Sequence, residues 1–352
     1  MRFSFSEDQL LFQKSLRDFL AKECPPSFVR SLWDSQTGRS PELWRKLAEL
    51  GVTGVLVPEA HGGLGLDEID LVLLLEETGR AACAEPLIAT AALGAPLLVE
   101  LGAGELAEHW LGRVAAGDAI LAVGHPVNPF VANAHVADLL LLAKGDEIHA
   151  VPPGEVALTR EPSNDPARRI FDVAWEPRRE TRVAEGSKAR ELLAALLDRG
   201  ALACAAQLLG VAEALLERAV AYARQRHQFG KPIGSFQAVK HMLANAKVKL
   251  EYARPVVYRA SHSVAHAGAL RARDVSHAKL AAADAATFAA RIALQVHGAI
   301  GYTWEQDLHV WMRRAWSLDL AWGGAPFHRA RVAEHVLADG ARIGPGATFE
   351  GA

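Results

Sequence analysis

The chain has 352 residues, of which 50% are hydrophobic and 22% are charged, and its 38 basic side chains nearly balance 41 acidic ones. This composition supports a large buried core and excludes a disordered chain, and the length predicts two or three domains. The even charge balance argues against nucleic acid or a membrane surface as the main partner. The three cysteines, Cys24, Cys83 and Cys204, lie far apart, which excludes a disulfide scaffold and a cysteine-based zinc site.

Nothing in the sequence predicts a membrane span, a secretion signal or a metal site. No charge-free run of about 18 apolar residues occurs, and Met1–Asp8 lacks an apolar signal core. His262 and His266 are four residues apart, but no carboxylate accompanies them at ligand spacing. We therefore expect a cytoplasmic protein without a metal.

Residues 1–117 are predicted to form a helical domain. Ser6 followed by Gln9 is a capping-box pattern that begins an amphipathic helix, and Ser40-Pro41 begins a second helix. The segment Val55–Gly65 contains Pro58 and three glycines, so it is predicted to be a tight loop. Helical periodicity resumes in three further segments: 67–79, 87–101 and 104–116.

Residues 118–180 are predicted to form a small β domain. Short β-tolerant runs alternate there with loops that contain proline and glycine. The predicted strands are Ile120–Gly124, His135–Ala143, Glu147–Val151, Glu155–Thr159 and Arg169–Trp175.

Residues 181–352 are predicted to form a C-terminal helical bundle. Long alanine- and leucine-rich stretches with apolar faces suit antiparallel packing of about four helices. The main predicted helices are Leu192–Arg226, Ser235–Ala267, Asp274–His297 and Pro326–Asp339. The predicted order is therefore a helical domain, a small β domain and a helical bundle.

Two turns in the bundle carry candidate binding residues. The segment Arg224–Ile233 ends a long helix and contains Arg226, a guanidinium that can bind phosphate, beside Phe229, which can cover a flat ring. The segment Gln295–Tyr302 follows another long helix, and its glycines permit close approach of a ligand to the backbone. Taken alone, each segment is more typical of a helix end capped by glycine than of a binding site. No Ser-His-Asp order, P-loop or G-x-G-x-x-G pattern is present.

Three motifs together resemble those of the flavin-dependent acyl-CoA dehydrogenase family. Pro58-Glu59 with Gly62, Gly63 and Gly65 resembles the family's P-E-x-x-G-G-x-G loop. The stretch from Arg226 to Ala244 resembles R-x-Q-F-G-x-P-I…F-Q…L-A, through Gln228, Phe229, Phe236-Gln237 and Leu243. Gln295-x-x-Gly298-x-x-Gly301-Tyr302 resembles Q-x-x-G-G-x-G-Y, except that Ala299 replaces the second glycine.

The resemblance implies a mainly α fold with a central β domain, FAD as cofactor and an acyl-CoA thioester as substrate. In this family a carboxylate removes the α-proton while the β-hydride moves to the flavin. The bundle of one subunit binds the ADP half of the flavin held by its neighbour. By similarity, that role falls here on Arg226, Gln228, Phe229, Gln295 and Gly298.

The sequence departs from the family at the catalytic base. Ungapped counting from Met312-Arg313-Arg314-Ala315 places the family's usual glutamate at Trp322, and an indole has no usable acceptor for a proton. Some members carry the base near the start of the first bundle helix, just before an arginine. Asp198-Arg199 has that form, but lies two residues from the position that counting indicates, so a solvated helical aspartate is the competing interpretation.

The β domain also departs from the family. Ala122–Pro126 stands where the family has T-E-P-x-x-G-S-D, and the strand that stacks on the flavin has no counterpart between Val151 and Ile170. The sequence keeps the bundle residues that would bind a neighbouring subunit's flavin, but it lacks the β-domain motifs that would bind a flavin in its own site. This asymmetry predicts the base-less subunit of an α₂β₂ dehydrogenase, as in bacterial breakdown of steroid and other bulky acyl-CoAs. The alternatives are an active homo-oligomer with Asp198 as the base, a flavin monooxygenase and a non-catalytic structural subunit.

Overall fold

The computed structural model describes residues 4–102, 104–342 and 344, and these residues contain eleven α-helices and nine β-strands. They divide into two compact units. One unit contains the chain's first helix, a short central segment and most of the C-terminal helices: Met1–Val29, Leu75–Cys83 and Cys204–Ala352. The other contains the remaining N-terminal helices and all strands of the β region: Arg30–Leu74 and Ala84–Ala203.

Of the first three helices, the first and the third begin where their capping residues predict, whereas the second was not predicted. They are α1 (Glu7–Glu23), α2 (Pro26–Trp33) and α3 (Pro41–Glu49). The Ser6 hydroxyl accepts from the Gln9 amide at 3.2 Å and the Gln9 side chain accepts from the Ser6 amide at 2.9 Å, which confirms the capping box. Ser40 caps α3 in the same manner through the Leu43 amide.

The glycine-rich segment 55–65 is a loop, as predicted, with one short 3₁₀ turn at Glu59–His61. Gly63 lies so close to Val57 that a Cβ there would be 2.1 Å from the Val57 carbonyl oxygen. Only glycine therefore fits this crossing of the backbone.

The next helices are α4 (Glu68–Arg80), α5 (Ala95–Leu101) and α6 (Glu105–Ala116). The predicted helix 87–101 begins instead as a π-helical segment, Ile88–Gly94, that continues into α5. Thr90 in this segment exchanges hydrogen bonds with the Leu121 backbone, its hydroxyl donating at 3.2 Å and accepting at 3.1 Å. This docking on the first strand gives the widened turn a structural role.

Seven strands lie between the two helical regions. They are β1 (Leu121–Gly124), β2 (Val131–Ala132), β3 (Leu139–Lys144), β4 (Glu147–Val151), β5 (Ala157–Glu161), β6 (Ile170–Ala174) and β7 (Arg182–Glu185). One sheet has the order β1-β3-β4-β7, in which β1 and β3 run parallel, and a second has the order β2-β6-β5. Their shared core includes Ala122, Leu140, Leu142, Val151 and Phe171. The five predicted strands are all present, with ends displaced by up to four residues.

Two of these seven strands, β2 and β7, were not predicted from the sequence, and β7 moves a predicted boundary. The end predicted for the β domain was residue 180, but β7 pairs with β4 through Ile148 and Ala184 and extends the strands to Glu185. This strand is four residues long and half polar, so no apolar run marks it. It is specified by backbone pairing at a sheet edge.

The C-terminal region is helical, as predicted. Its elements are α7 (Gly186–Gln225), a two-stranded hairpin of β8 (His227–Gln228) and β9 (Lys231–Pro232), α8 (Gln237–Ala265), α9 (Arg271–His297), α10 (Leu308–Leu320) and α11 (Ala325–Val336). The inner face of α9 consists largely of buried alanines, which allow close packing of its neighbours.

Helix α7 is long and apolar enough, by length and composition, to span a membrane, although it contains no charge-free run of about 18 apolar residues. It is 40 residues long and contains an 18-residue window with a mean hydropathy of 1.6. However, 78% of that window is buried inside the protein, as in the core helix of a soluble protein.

Candidate functional site

The first candidate segment forms an exposed hairpin at the end of α7. His227 pairs with Pro232 and Gln228 pairs with Lys231, so Phe229 and Gly230 form the two-residue turn. Both have positive φ, +53° and +80°, as a tight primed turn requires. This conformation is costly for phenylalanine, and the Phe229 side chain is 91% exposed. The hairpin thus holds an aromatic ring away from its own core.

Arg226 lies at the base of this hairpin. Its amide donates to the Tyr222 carbonyl and its own carbonyl accepts from Ile233, both at 2.8 Å. Its guanidinium is exposed and forms no hydrogen bond or ion pair with the described residues. The exposed Gln228 amide extends from the same hairpin. These free donors beside an exposed ring fit the pyrophosphate and flat rings of a dinucleotide.

The second candidate segment lies beside the first. The rings of Tyr222 and His297 stack with centroids 4.3 Å apart and planes inclined by 21°, which joins the end of α7 to the end of α9. Arg226 lies one helical turn beyond Tyr222, and the exposed Gln295 lies two residues before His297. The structure therefore brings together the two segments that the sequence analysis selected separately.

The backbone and ring of this second segment are well defined. Gly298 ends α9 with a φ of +64°, a conformation that favours glycine. His297 donates from Nδ1 to the Ala293 carbonyl at 2.7 Å, and burial lowers the pKa of His297. A neutral imidazole consequently occupies the stack near pH 7.

Trp322 occupies the position predicted for the base, and its side chain is buried. It lies in the turn between α10 and α11 with a φ of +58° and only 6% exposure. The turn therefore buries a large ring where the family resemblance leads us to expect a carboxylate. The ring supplies a donor and no acceptor for a proton.

The turn that carries Trp322 is held on both sides. His328 Nε2 donates to the Trp322 carbonyl at 2.9 Å, while its Nδ1 lies 3.1 Å from the Ser276 hydroxyl on α9. The buried Lys279 ammonium donates to the carbonyls of Asp319 at 2.7 Å and Gly323 at 3.3 Å. These hydrogen bonds fix the turn and were not predicted from the sequence. The only sequence feature that could have indicated them is Lys279, a charged residue within the alanine-rich face of α9.

The alternative base, Asp198, lies on α7 and is 1% exposed. Its neighbour Arg199 binds two carboxylates, Glu68 and Glu100, each at 2.7 Å. Asp198 is itself engaged in an interaction and is not a free group. A general base must reach the proton that it removes, and the structure does not bring this carboxylate to an open surface.

The segment after β1, where the resemblance leads us to expect the flavin-side motif, is held by hydrogen bonds of His125. After β1, the ring of His125 accepts from the Val127 amide and donates to the Leu193 carbonyl, both at 3.1 Å. Burial lowers the pKa of His125, consistent with this neutral pattern. Ala122 and Val123 lie buried in the strand. Backbone and core packing therefore account for this segment.

Comparison with known proteins identifies two family domains in the chain. The acyl-CoA dehydrogenase N-terminal domain matches residues 6–118, and the acyl-CoA dehydrogenase C-terminal domain matches residues 191–337. Residues 119–190 lie between the two matched ranges and outside both. The matched ranges contain the helices before the β region and nearly all of those after it.

Similar proteins agree with this assignment along most of the chain. An acyl-CoA dehydrogenase named IpdE2 from Mycolicibacterium smegmatis is 32% identical, with 88% of this chain and 93% of that protein aligned. The ChsE4-ChsE5 complex from Mycobacterium tuberculosis matches with a TM-score of 0.86 and 27% identity, over 96% of this chain and 99% of the other. A steroid ACAD, Tcur3481-Tcur3483, matches with a TM-score of 0.83 and 26% identity, over 95% and 99% of the two chains.

The predicted fold class is thereby confirmed, because the motifs, the order of the elements and the matched domains all agree. The chain belongs to the acyl-CoA dehydrogenase family of FAD-dependent oxidoreductases, which act on a CH–CH bond of an acyl-CoA thioester.

Proposed function

We propose that this chain is the subunit without a catalytic base in an α₂β₂ acyl-CoA dehydrogenase. In this proposal its hairpin and the end of α9 bind the ADP half of an FAD whose ring lies in a partner subunit. The partner supplies the base and the intact β domain, and the assembly is cytoplasmic. The observation that carries the proposal is the buried indole of Trp322 at the position expected for the glutamate.

The absence of a base at Trp322 supports a silent site in this chain. Removal of a general base typically costs about 10² to 10⁴ in rate. A buried indole also fills volume that the α-carbon of a thioester would need. Since Asp198 is buried as well, neither predicted position offers an accessible carboxylate.

The exposed hairpin supports a role toward a neighbouring subunit. When bound, FAD supplies a hydride acceptor to this family's reaction. Arg226 would neutralise the pyrophosphate, Gln228 and Gln295 would donate hydrogen bonds, and Phe229 would cover a ring. All four of these side chains are exposed to solvent, which suits contact with a ligand or a partner outside this chain.

The sequence of the β region, in which Ala122–Pro126 stands in place of the family's flavin-side motif, and the relatives support a mixed assembly. ChsE4-ChsE5 is a complex of two named proteins, and Tcur3481-Tcur3483 is a steroid ACAD. We extend both properties to this chain as part of the proposal, with a bulky acyl-CoA such as a steroid thioester as substrate.

Co-expression tests this function directly. The chain is purified alone and together with a family member that retains the glutamate, and flavin content, mass and acyl-CoA oxidation with an artificial electron acceptor are measured. We expect a colourless, inactive chain alone, and a yellow, active complex larger than 37.8 kDa after co-expression.

The alternatives give different results in the same experiment. A chain that binds FAD alone and oxidises acyl-CoA is a homo-oligomeric dehydrogenase, which contradicts the proposal. Flavin-dependent insertion of oxygen into a substrate indicates a monooxygenase. If the partner forms a stable complex with this chain but is equally active when purified without it, the chain is a structural subunit.

A further inference from the structure

A cavity of about 420 Å³ lies among the helices of the first compact unit. Its wall is formed by α1, the start of α2, α4, α7 and α10, and none of its residues belongs to the hairpin, to the end of α9 or to the turn at Trp322. The volume falls within the range of small-molecule sites. We call it the α1 cavity.

Most of the charges around the α1 cavity are paired. Arg17 binds Glu77 at 2.6 Å, and the Glu77 side chain is 1% exposed. Arg80 binds Glu217 at 2.6 Å with both carboxylate oxygens in contact. The third acid of the wall, Asp18, lies 3.4 Å from Lys14 on the same helix. These three acids are therefore neutralised by three cations.

Arg218 is the remaining cation of the wall. Its guanidinium carbon lies 3.3 Å from the centroid of the Trp311 ring, so the two groups stack. One N–H donates to the Ala214 carbonyl at 3.2 Å. Within residues 4–102, 104–342 and 344, no carboxylate lies within 4 Å of the guanidinium and no other hydrogen bond from it is found.

Stacking fixes the position of the Arg218 guanidinium, and partial burial makes its positive charge unfavourable there. Trp311, on which it stacks, is 2% exposed and donates from its indole to the Arg80 carbonyl at 2.8 Å. Asp307 and Glu217 attract the guanidinium only from a distance, and burial lowers the pKa of Arg218 to about 10. A partly desolvated guanidinium without a counter-ion gains most from an anion that enters its cavity.

The rest of the wall is apolar. Leu20 and Ala81 contribute buried or half-buried hydrocarbon, and Pro25 adds a rigid face without a donor. Access is available at the rim, since the side chains of Asp18 and Glu217 are 67% and 49% exposed. A ligand that satisfies this wall has one negative end and an apolar body.

We propose that the α1 cavity binds a small organic carboxylate, with its charge on Arg218 and its apolar body against Leu20, Pro25 and Ala81. A carboxylate is planar and accepts two parallel N–H bonds from one guanidinium edge. Its single charge matches Arg218, the one cation of the wall that has no carboxylate partner among the described residues. A phosphate dianion would add a second negative charge beside Glu77, Glu217 and Asp18.

Binding to the full-length chain tests this site. Benzoate and hexanoate are titrated by calorimetry and in thermal unfolding, with benzamide as a neutral molecule of the same shape as benzoate and with inorganic phosphate as the other anion. We expect saturable binding of the carboxylates and a rise in Tm, because a ligand that binds only the folded state stabilises it. Benzamide and phosphate should give neither.

Two variants assign the effect to Arg218. Arg218→Gln should weaken benzoate binding by about tenfold to hundredfold, the range expected for loss of a charged hydrogen bond. Arg291→Gln, which removes an exposed arginine from α9, should leave binding unchanged. If Arg218→Gln does not fold, Arg218→Lys serves instead, because it keeps the charge and loses the fork.

The proposal is overturned by any one of several binding results. These are no carboxylate binding to the wild-type chain, equal binding to the Arg218 variant, and phosphate binding that is tighter than carboxylate binding. Binding of benzamide as tight as that of benzoate has the same consequence, since the site would then recognise shape and not charge.

Discussion

The chemistry of single residues separates the two halves of the proposed function. Trp322 is a buried side chain that cannot accept a proton, whereas Arg226 is an exposed charge without a partner among the described residues. Trp322 therefore fills the volume expected for a catalytic group, whereas Arg226 is available to contact a ligand or a partner subunit.

Restoring the carboxylate alone should not restore the reaction. We expect Trp322→Glu to leave the isolated chain without measurable acyl-CoA oxidation, because in the proposed function its β region lacks the flavin-side residues as well. Loss of the buried ring should also lower the free energy of unfolding by about 3–5 kcal/mol.

Denaturant unfolding and an acceptor-linked assay measure both effects of this change. Trp322→Phe is the matched control, since it keeps an apolar ring and should lose much less stability. Oxidation of acyl-CoA by the isolated Trp322→Glu chain would show that the site is complete apart from its base.

Arg226→Ala should weaken FAD binding in the assembled complex by about 1.5–3 kcal/mol, or roughly tenfold to hundredfold. The physical reason is the loss of a charge-assisted contact to pyrophosphate. Flavin retained after dialysis, measured by absorbance, reports the change. Arg224→Ala removes an exposed arginine from the same helix end, and a loss of flavin equal to that in Arg226→Ala would argue against a specific contact.

At the scale of elements, α7 links the candidate sites, because Asp198 lies within it and the hairpin follows directly at its end. Buried residues dominate the middle of this helix, and a continuous run of exposed residues begins at Arg224. The element thus serves as a core helix along most of its length and as a binding element in its C-terminal part.

The burial of Asp198 predicts that it is not the base. In the active complex, Asp198→Asn should change turnover by less than about threefold, whereas removal of a true base costs about 10² or more. Turnover is compared at saturating acyl-CoA with flavin content checked in parallel. A fall of 10² or more with full flavin occupancy would assign the base to Asp198 and support the homo-oligomeric alternative.

At the scale of the whole molecule, buried and half-buried histidines couple stability to pH. Burial lowers the pKa values of His125, His135 and His297 below their usual value. As the pH falls below about 6.5, the unfolded chain therefore binds protons that the folded chain resists. Stability is then fully present above that pH and is lost as the medium becomes acidic.

We expect the urea midpoint to fall between pH 7.5 and pH 5.5. His125→Gln should reduce this fall, since it removes one of the histidines whose pKa is lowered. His241→Asn, which changes an exposed histidine, should leave it as in the wild type. A midpoint that rises toward pH 5.5 would contradict the assignment of neutral, buried rings.

The sequence by itself determined the order of a helical region, a β region and a helical bundle, and the identity of the candidate binding residues. Capping at Ser6, glycine spacing in the loop 55–65 and apolar periodicity in the long helices are local signals, so they can be interpreted without the fold. The positions of Arg226, Gln228, Phe229, Gln295 and Gly298 followed from motif spacing. Their roles as FAD contacts remain predictions.

Only the tertiary structure decided which of these side chains are exposed and which are buried. Stacking of Tyr222 on His297, burial of Asp198 and the bonds of Lys279 to the Trp322 turn join residues that are far apart in sequence. The strand β7 and the stacking of Arg218 on Trp311 depend likewise on neighbours that no local pattern specifies. Burial and pairing are properties of the packed chain, because they arise from surfaces that meet only after folding.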